Sequence, residues 1–229
     1  MTFSRRLETE LLDVLPAHDP AALRSRRDLK FLNAVMLHPV IMARRMRRHA
    51  VAAPRRIIEL GAGDGSLMLR LGRRLARHWP GVGIILVDRH DIVTPETRQA
   101  ISKLGWREDH VTQDVFDYLA VAKPADIIIA NLFLHHFQPA QISEIFMRCA
   151  KLAPVFVALE PRRAGLPLLG SRMIGLLGCN FVSRHDAVAS VRAGFRDREL
   201  SALWPEQQRW TFDEGRAGFV THCFAARKC

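Results

Sequence analysis

The residues best suited to chemistry lie in one glycine-rich loop, Glu59-Leu60-Gly61-Ala62-Gly63-Asp64-Gly65. Glycines let a backbone turn tightly and approach a ligand closely. A dinucleotide-binding loop has the spacing G-x-G-x-x-G, whereas here the third glycine comes one residue early. The two carboxylates of this loop would repel a diphosphate, so we expect a positively charged ligand instead. The residues expected to contact it are Glu59, Gly61, Ala62 and Gly63.

Polar residues also follow the later apolar runs. Asp88 ends the run Gly83–Val87 and comes 27 residues after Gly61, about one βαβ unit, where an acid can accept the two hydroxyls of a ribose. Asp114 could receive an adenine amino group, although an aspartate there also suits a helix N-cap. The residues expected to contact a nucleoside at these strand ends are Asp88, Arg89, Asp114, Val115 and Asn131.

Short apolar runs alternate with helical patterns from Arg55 onward, which predicts a parallel sheet with right-handed crossovers. The predicted strands are Ile57–Leu60, Gly83–Val87, Asp109–Thr112, Ala125–Ala130 and Val155–Leu159. The predicted helices between them are Leu67–His78, Pro95–Leu104 and Ala140–Ala150. This order indicates a doubly wound α/β fold.

The two ends of the chain follow other patterns. Residues 1–53 are predicted to be a helical cap, with one helix over Leu7–Leu15 and a break at Pro16–Pro20, ahead of a main domain at 54–229. Towards the C-terminus we expect a helix within Arg162–Gly178 and another at His185–Arg192. The segments Glu199–Leu203 and Phe219–Ala225 are predicted to pair as an antiparallel hairpin.

The loop, Asp88, Asp114 and Asn131, in this order at strand ends, resemble the class I (Rossmann-like) S-adenosylmethionine-dependent methyltransferases. The resemblance covers about residues 55–160. It implies a seven-stranded sheet of order 3-2-1-4-5-7-6 with strand 7 antiparallel, and S-adenosylmethionine (SAM) as the cofactor, whose sulfonium and ammonium suit the carboxylates. It further implies that Gly61 and Gly63 pass under the methionine portion, that Asp88 holds the ribose, and that the N-terminal helices form a lid.

The sequence after the fourth strand bears on the methyl acceptor. It reads Asn131-Leu132-Phe133-Leu134-His135-His136-Phe137 and lacks the paired prolines typical of methyltransferases that act on base amino groups. It is similar to small-molecule methyltransferases of quinone and polyketide pathways. Motifs in the C-terminal third resemble methyltransferases encoded with type III polyketide synthases, namely Glu160–Arg163, Ser183–Ala187 and Ser190–Phe195. The resemblance implies an aromatic, lipophilic acceptor such as a phenol or quinol.

Methyl transfer to a phenol requires alignment of the acceptor and gains from a nearby base. Histidine fits because its unperturbed pKa of about 6.5 leaves it mostly neutral at pH 7. The predicted catalytic residues are His136, His185 and Asp186, with Glu160 as another possible orienting carboxylate. The predicted acceptor-binding residues are His135, Arg162 and Arg192. Structural roles remain open for all of them, a helix cap for His185-Asp186 among these.

The net charge of +11 is uneven, because residues 1–56 hold 12 Arg and Lys against 5 Asp and Glu. Such a bias indicates either an anionic partner or a solvated basic face. It keeps an RNA methyltransferase as the alternative function, together with contact of Asn33–Arg48 with an anionic membrane. A binding protein without catalysis is a further alternative, whereas a dehydrogenase is disfavoured by the loop spacing.

The cysteines and the apolar segments argue against other classes of protein. Cys149, Cys179, Cys223 and Cys229 form no CxxC pair, so we expect no zinc site and no other metal. The first ten residues carry charges where a signal peptide would be apolar. No uncharged apolar stretch approaches the roughly 20 residues that span a bilayer. A cytoplasmic protein is therefore expected.

Overall fold

A computed structural model describes residues 3–16 and 18–229. Its sheet has seven strands in the order β3-β2-β1-β4-β5-β7-β6, with β7 antiparallel to both of its neighbours. The strands are β1 Arg56–Leu60, β2 Gly83–Asp88, β3 Arg107–Thr112, β4 Ile127–Asn131, β5 Val155–Pro161, β6 Trp210–Ala217 and β7 Thr221–Lys228. The expected fold class and strand order are confirmed.

Helices cover both faces of the sheet. They are α1 Leu11–Val14, α2 Pro20–Val35, α3 His38–His49, α4 Ser66–Leu75, α5 Pro95–Ser102, α6 Val115–Val121, α7 Pro139–Leu152, α8 Gly165–Met173, α9 Phe181–Ala193 and α10 Glu199–Ala202. Short 3-10 turns lie at Leu134–His136, Ile174–Leu177 and Gln207–Arg209. None of the helices in the two described ranges combines the length and apolarity needed to cross a membrane.

The central strands are apolar because they are covered on both faces. All seven residues of β5 are buried, as are the first four of β4. In register, Leu60 at the end of β1 pairs with Ala130, and Asn131 at the end of β4 pairs with Leu159. The carboxyl ends of β1, β4 and β5 therefore meet at one edge of the sheet, which gathers the polar residues that follow them.

The N-terminal helices share the main core. Met42 and Met46 of α3 are fully buried together with residues of β1 and α4, so these methionines are not free to contact a membrane. The predicted helix over Leu7–Leu15 was wrong in extent, because only Leu11–Val14 is helical. We call residues 5–12 the N-terminal segment, and most of it runs extended beside α9.

Two expectations near the C-terminus were wrong. Glu199–Ala202 is a helical turn rather than a strand, because the two carboxylate oxygens of Glu214 accept hydrogen bonds from the backbone N–H groups of Leu200 and Ser201. The hairpin partner of β7 is Trp210–Ala217, an edge strand with a polar sequence. The helix expected at His185–Arg192 starts earlier, at Phe181, where the Asn180 side chain accepts from the Ser183 backbone N–H. His185 and Asp186 therefore do not cap this helix.

Candidate functional site

The glycine loop is held against β2 by backbone hydrogen bonds. The N–H groups of Gly61 and Ala62 donate to the Val87 carbonyl at 2.9 and 3.0 Å. Gly61 and Gly63 have φ of +68° and +55°, a left-handed backbone that favours glycine. A side chain at Gly63 would meet no atom within 4 Å, so space for a ligand lies beside this residue. The third glycine, Gly65, instead packs the following helix closely against β2.

Glu59 is a buried carboxyl with one unsatisfied oxygen among the described residues. Its Oε2 has no hydrogen-bond partner within the described ranges, and the side chain is almost fully buried. Burial, together with the negative charges of Asp64 and Asp88, raises the pKa of Glu59 well above its usual value. Asp64 is paired with Lys30 of α2. A cationic group beside Glu59 would lower the cost of ionising it, which fits the positively charged ligand expected from the sequence.

Asp88 shapes the same loop from the end of β2. Its Oδ2 accepts from the Gly63 N–H at 2.8 Å, and its Oδ1 accepts from the His90 N–H at 2.9 Å. Each carboxylate oxygen can accept more than one hydrogen bond, so Asp88 keeps capacity for the hydroxyls of a ribose. Arg89 is exposed next to it. The residues at this edge therefore fit a ligand with a cationic end and a diol.

Asp114 has the structural role that the sequence left open. It is the N-cap of α6, where its Oδ1 accepts from the Phe116 N–H at 2.8 Å. Val115 is buried at the first position of that helix. One carboxylate oxygen suffices for this cap, so contact of Asp114 with an adenine stays a prediction.

A buried ionic cluster lies under the 3-10 turn that follows β4. Glu160, fully buried at the end of β5, accepts from the backbone N–H groups of Phe133, Leu134 and His135 at 3.1, 2.8 and 3.3 Å. It also pairs with His135 Nδ1 at 2.7 Å. On the other side of the ring, His135 Nε2 lies 3.3 Å from Glu10 of the N-terminal segment. One imidazole therefore bridges two carboxylates.

The two carboxylates decide the charge of His135. Burial alone would lower its pKa, but Glu10 and Glu160 outweigh burial and raise the pKa of His135 to about 9. The imidazole is therefore protonated at neutral pH and has no free nitrogen to accept a proton. His135 can position its neighbours and supply positive charge, but it does not suit the role of a general base.

His136 is the more accessible of the two adjacent histidines. Its side chain is 27% exposed, and its Nδ1 lies 3.2 Å from Asp13 Oδ2 of α1. Burial raises the pKa of Asp13, but the hydrogen bond and charge of His136 outweigh burial and lower it overall. The pair resembles the carboxylate-oriented imidazoles of general bases. Of the two histidines, His136 is thus the one with an accessible side chain.

Glu10, His135 and His136 also have the composition of a metal site, with potential ligand atoms within 4.8 Å of one another. A metal ligand must be deprotonated, whereas His135 is held in its cationic form by two carboxylates. A metal ion would have to displace that proton and the pairing with Glu10. The same three residues take part in the ion pairs that also include Glu160 and Asp13.

His38 is a site residue that the sequence did not single out. It is fully buried in the first turn of α3, with Nδ1 2.7 Å from Asn131 Oδ1 and Nε2 2.9 Å from Thr221 Oγ1. Burial lowers the pKa of His38 to about 4, so the ring is neutral. Because an amide oxygen only accepts, Nδ1–H donates to Asn131, and Nε2 accepts from Thr221. This contact fixes Asn131 from the N-terminal helices.

Asp186 anchors the N-terminal segment. Its two oxygens accept from the backbone N–H groups of Leu11 and Leu12 at 2.7 and 3.0 Å, and one of them also pairs with His185 Nδ1 at 2.9 Å. The His185 side chain is 46% exposed. Arg5 holds the other end of the segment through the carbonyls of Ala193, His135 and Phe137. The segment thereby brings Glu10 to the histidine pair, together with Asp13, which follows the segment in α1.

The two arginines that were predicted to bind the acceptor make other contacts. Arg162 joins the sheet through its backbone N–H, which donates to Val220. Arg192 pairs with Glu8 at 3.0 Å and lines a surface cavity between α8 and residues 3–6. The structure thus arranges the predicted site residues in two groups. The first contains Glu59, the glycine loop and Asp88, and the second contains the histidine pair and Glu160. Glu10 and Asp13, which reasoning from sequence missed, join that second group from more than 120 positions away.

Comparison with known proteins shows a shared fold. No protein-family model matches the chain, and neither does any curated protein. The chain is similar to the plantazolicin methyltransferase BamL, in complex with a triazolic desmethylPZN analog and SAH, with a TM-score of 0.64, 13% identity and coverage of 94% of this chain and 92% of that one.

Two further solved structures are similar over most of the chain. Magnesium protoporphyrin IX methyltransferase from Synechocystis PCC 6803, with bound SAH, gives a TM-score of 0.52 at 14% identity, covering 95% of this chain and 91% of that one. Human N-acetylserotonin methyltransferase, in complex with SAM, gives a TM-score of 0.53 at 17% identity, and the match covers 93% of this chain and 60% of that one. The chain therefore has the Rossmann-like methyltransferase fold.

Proposed function

We propose that this protein is a SAM-dependent methyltransferase. The observation that carries the proposal is the set of groups at the carboxyl edge of the sheet: a buried carboxyl at Glu59 whose Oε2 has no hydrogen-bond partner among the described residues, open space beside Gly63, and Asp88 at the end of β2. These groups match the ammonium, the sulfonium and the ribose of SAM. Structural neighbours that hold SAM or its product SAH support the same cofactor.

The cofactor would supply an electrophilic methyl group, and the chain would bind and align the acceptor. We propose a small hydroxylated aromatic acceptor, methylated on oxygen, with carbon methylation of the same ring as the alternative. His136 is the proposed base, oriented by Asp13 at 3.2 Å. His135 is a positioning residue, because its charge and both nitrogens are engaged by Glu10 and Glu160.

The cofactor part of the proposal is tested by calorimetric titration with SAM and SAH. Asp88→Ala removes the proposed acceptor of the ribose hydroxyls and the hydrogen bond to Gly63, so affinity should fall by at least about tenfold, since two lost hydrogen bonds to a charged group cost more than 1.4 kcal/mol. The matched control is Asp91→Ala, an exposed aspartate three residues away, which should leave affinity unchanged. Equal affinities of the two variants would contradict the placement of the ribose.

The acceptor part is tested with a panel of phenols and labelled SAM. His136→Ala should bind SAM as the wild type does but turn over at least about a hundredfold more slowly, the usual scale of a general base. Full activity of this variant on every acceptor would remove His136 from the mechanism. Binding of SAM without turnover of any acceptor would instead favour a cofactor-binding protein.

An RNA acceptor is the second candidate, and one surface favours it. Arg44, Arg47 and Arg48 are exposed on α3, and Arg73 and Arg74 are exposed on the adjoining α4. Phosphate contacts of this kind make affinity fall steeply with salt. Tight RNA binding with a steep salt dependence, together with methylation of RNA, would support this candidate, whereas activity on phenols without RNA binding would exclude it.

A further inference from the structure

One side of α8 and of the 3-10 turn that follows it is apolar and exposed. Five large apolar residues there are at least half exposed, with spacings of three, four, three and one residues that place them on one face of a helix. They are Leu166, Leu169, Met173, Leu176 and Leu177. We call this set the α8 face. Phe181, at the start of α9, is also exposed at 64%.

The α8 face points away from the core. The opposite side of the same helix is buried through Pro167, Ser171 and Ile174, and α8 packs on α9. The apolar residues of the α8 face therefore contribute little to this packing. Contiguous exposed apolar surface of this kind marks a site of interaction.

The chain segment that carries the α8 face has positive charges only. Residues 161–185 contain four arginines and no aspartate or glutamate. Arg172 and Arg184 are exposed, and Arg172 also lines a cavity of about 560 Å³ with Arg6 and Arg192. Arg192 is paired with Glu8. Within residues 3–16 and 18–229, no carboxylate lies at ion-pair distance from Arg6 or Arg172.

We propose that the α8 face docks on the surface of an anionic lipid bilayer. An apolar helix face buried at the level of the headgroups, with arginines at its rim, is the arrangement by which interfacial helices bind. Arg6 and Arg172 would contact lipid phosphates beside the inserted leucines. A symmetric contact with a second copy of the chain is disfavoured, because it would bring the same arginines together without a carboxylate to neutralise them.

The test is sedimentation of the protein with vesicles, which needs no methyl transfer and is independent of the proposed function. One set of vesicles is phosphatidylcholine alone, and the other is an equimolar mixture with phosphatidylglycerol. The wild type should bind the mixed vesicles at least about tenfold more tightly, and added salt should weaken this binding. Arg172→Gln should weaken it about fivefold, the effect of roughly 1 kcal/mol per arginine.

A combined variant tests the apolar part, in which Leu169, Leu176 and Leu177 are each replaced by glutamine. It should lose most of the vesicle binding, at least about tenfold. The control variant carries glutamine at three other apolar positions that are also more than half exposed, Val51, Val121 and Phe219, and should bind as the wild type does. Thermal unfolding verifies that both variants fold.

The proposal would be overturned by no binding of the wild type to mixed vesicles, by equal binding of both combined variants, or by a dimer in sedimentation velocity that only the α8-face variant dissociates. Inorganic phosphate at matched ionic strength provides a further arm. If it abolished vesicle binding, the arginines would bind a free anion and not the membrane surface.

Discussion

Replacing Glu160 by glutamine should strongly lower the free energy of unfolding. The charged imidazole of His135 would stay buried with only one of its two carboxylate partners. Glu160 is fully buried and pairs with His135 at 2.7 Å. Glutamine keeps the shape of the side chain but removes the negative charge, and its NH₂ group would face backbone N–H donors. Truncation of a buried ion pair to one partner is among the most destabilising kinds of substitution.

The magnitude follows from the pKa of His135. An increase from 6.5 in the unfolded chain to about 9 in the folded protein corresponds to about 3 kcal/mol of the free energy of unfolding, at about 1.4 kcal/mol per pKa unit. Since the folded-state pKa is the higher one, this stabilisation is fully present below pH 6.5 and is lost as the pH rises through about 9. At the acid end, the pKa of Glu160 is lowered, so the pair also weakens as carboxyls become protonated.

Urea unfolding at a series of pH values measures both effects. The wild type should lose about 3 kcal/mol between pH 6.5 and pH 9, whereas Glu160→Gln should be less stable by about that amount at neutral pH and should show a shallower dependence. The matched control is Glu144→Gln, which removes a partly exposed i,i+4 pair with Arg148 and should cost under about 0.5 kcal/mol. Equal stabilities of the two variants, with a wild type insensitive to pH in this range, would refute the charged state of His135.

Three further substitutions test other contacts of the site. Gly61→Ala places a Cβ 2.3 Å from the Phe133 ring at a φ of +68°, so it should reduce SAM affinity in calorimetry far more than Gly81→Ala, where the φ is similar but the space is open; equal effects would mean that only backbone strain matters. His38→Ala removes a fully buried ring, leaves the half-buried Asn131 without its donor, and should cost about 2–4 kcal/mol in urea unfolding; a cost below about 1 kcal/mol would contradict this contact. Asp186→Asn should speed hydrogen exchange at the amides of the N-terminal segment and leave the sheet protected; unchanged exchange there would contradict the anchor.

The fold could be predicted from the sequence wherever the signal is local. Buried parallel strands are apolar runs, and the residues that follow them mark the edge where ligands bind. For this reason the loop at Gly61–Gly65 and Asp88 were predicted at strand ends, where the structure has them, while their contact with a ligand stays a prediction. The strand β6 was missed because it lies at an edge and carries Asp213, Glu214 and Arg216, so it lacks an apolar pattern.

Only part of the histidine cluster could be predicted from the sequence. The sequence indicated His135 and His136 from their position after β4, and Glu160 as an orienting carboxylate. It gave no signal for Glu10 or Asp13, because their contacts depend on how an extended segment lies along a distant helix. Asp186 was assigned to catalysis, whereas its visible contacts anchor that segment. Tertiary docking of this kind leaves no periodicity in the residues involved.

The anchoring of the N-terminal segment also dictates an order of assembly. Its hydrogen bonds join Arg5 to Ala193 and Leu11 to Asp186, pairs separated by 188 and 175 positions. At about 5–20 residues per second, a ribosome makes the partners of this segment roughly 10–40 s after the segment itself. During synthesis the N-terminal segment therefore cannot dock until its partners near residues 186–193 have been made. The histidine pair acquires Glu10 and Asp13 only after most of the sheet can form. Contacts of such long range are also among the slowest to form in refolding.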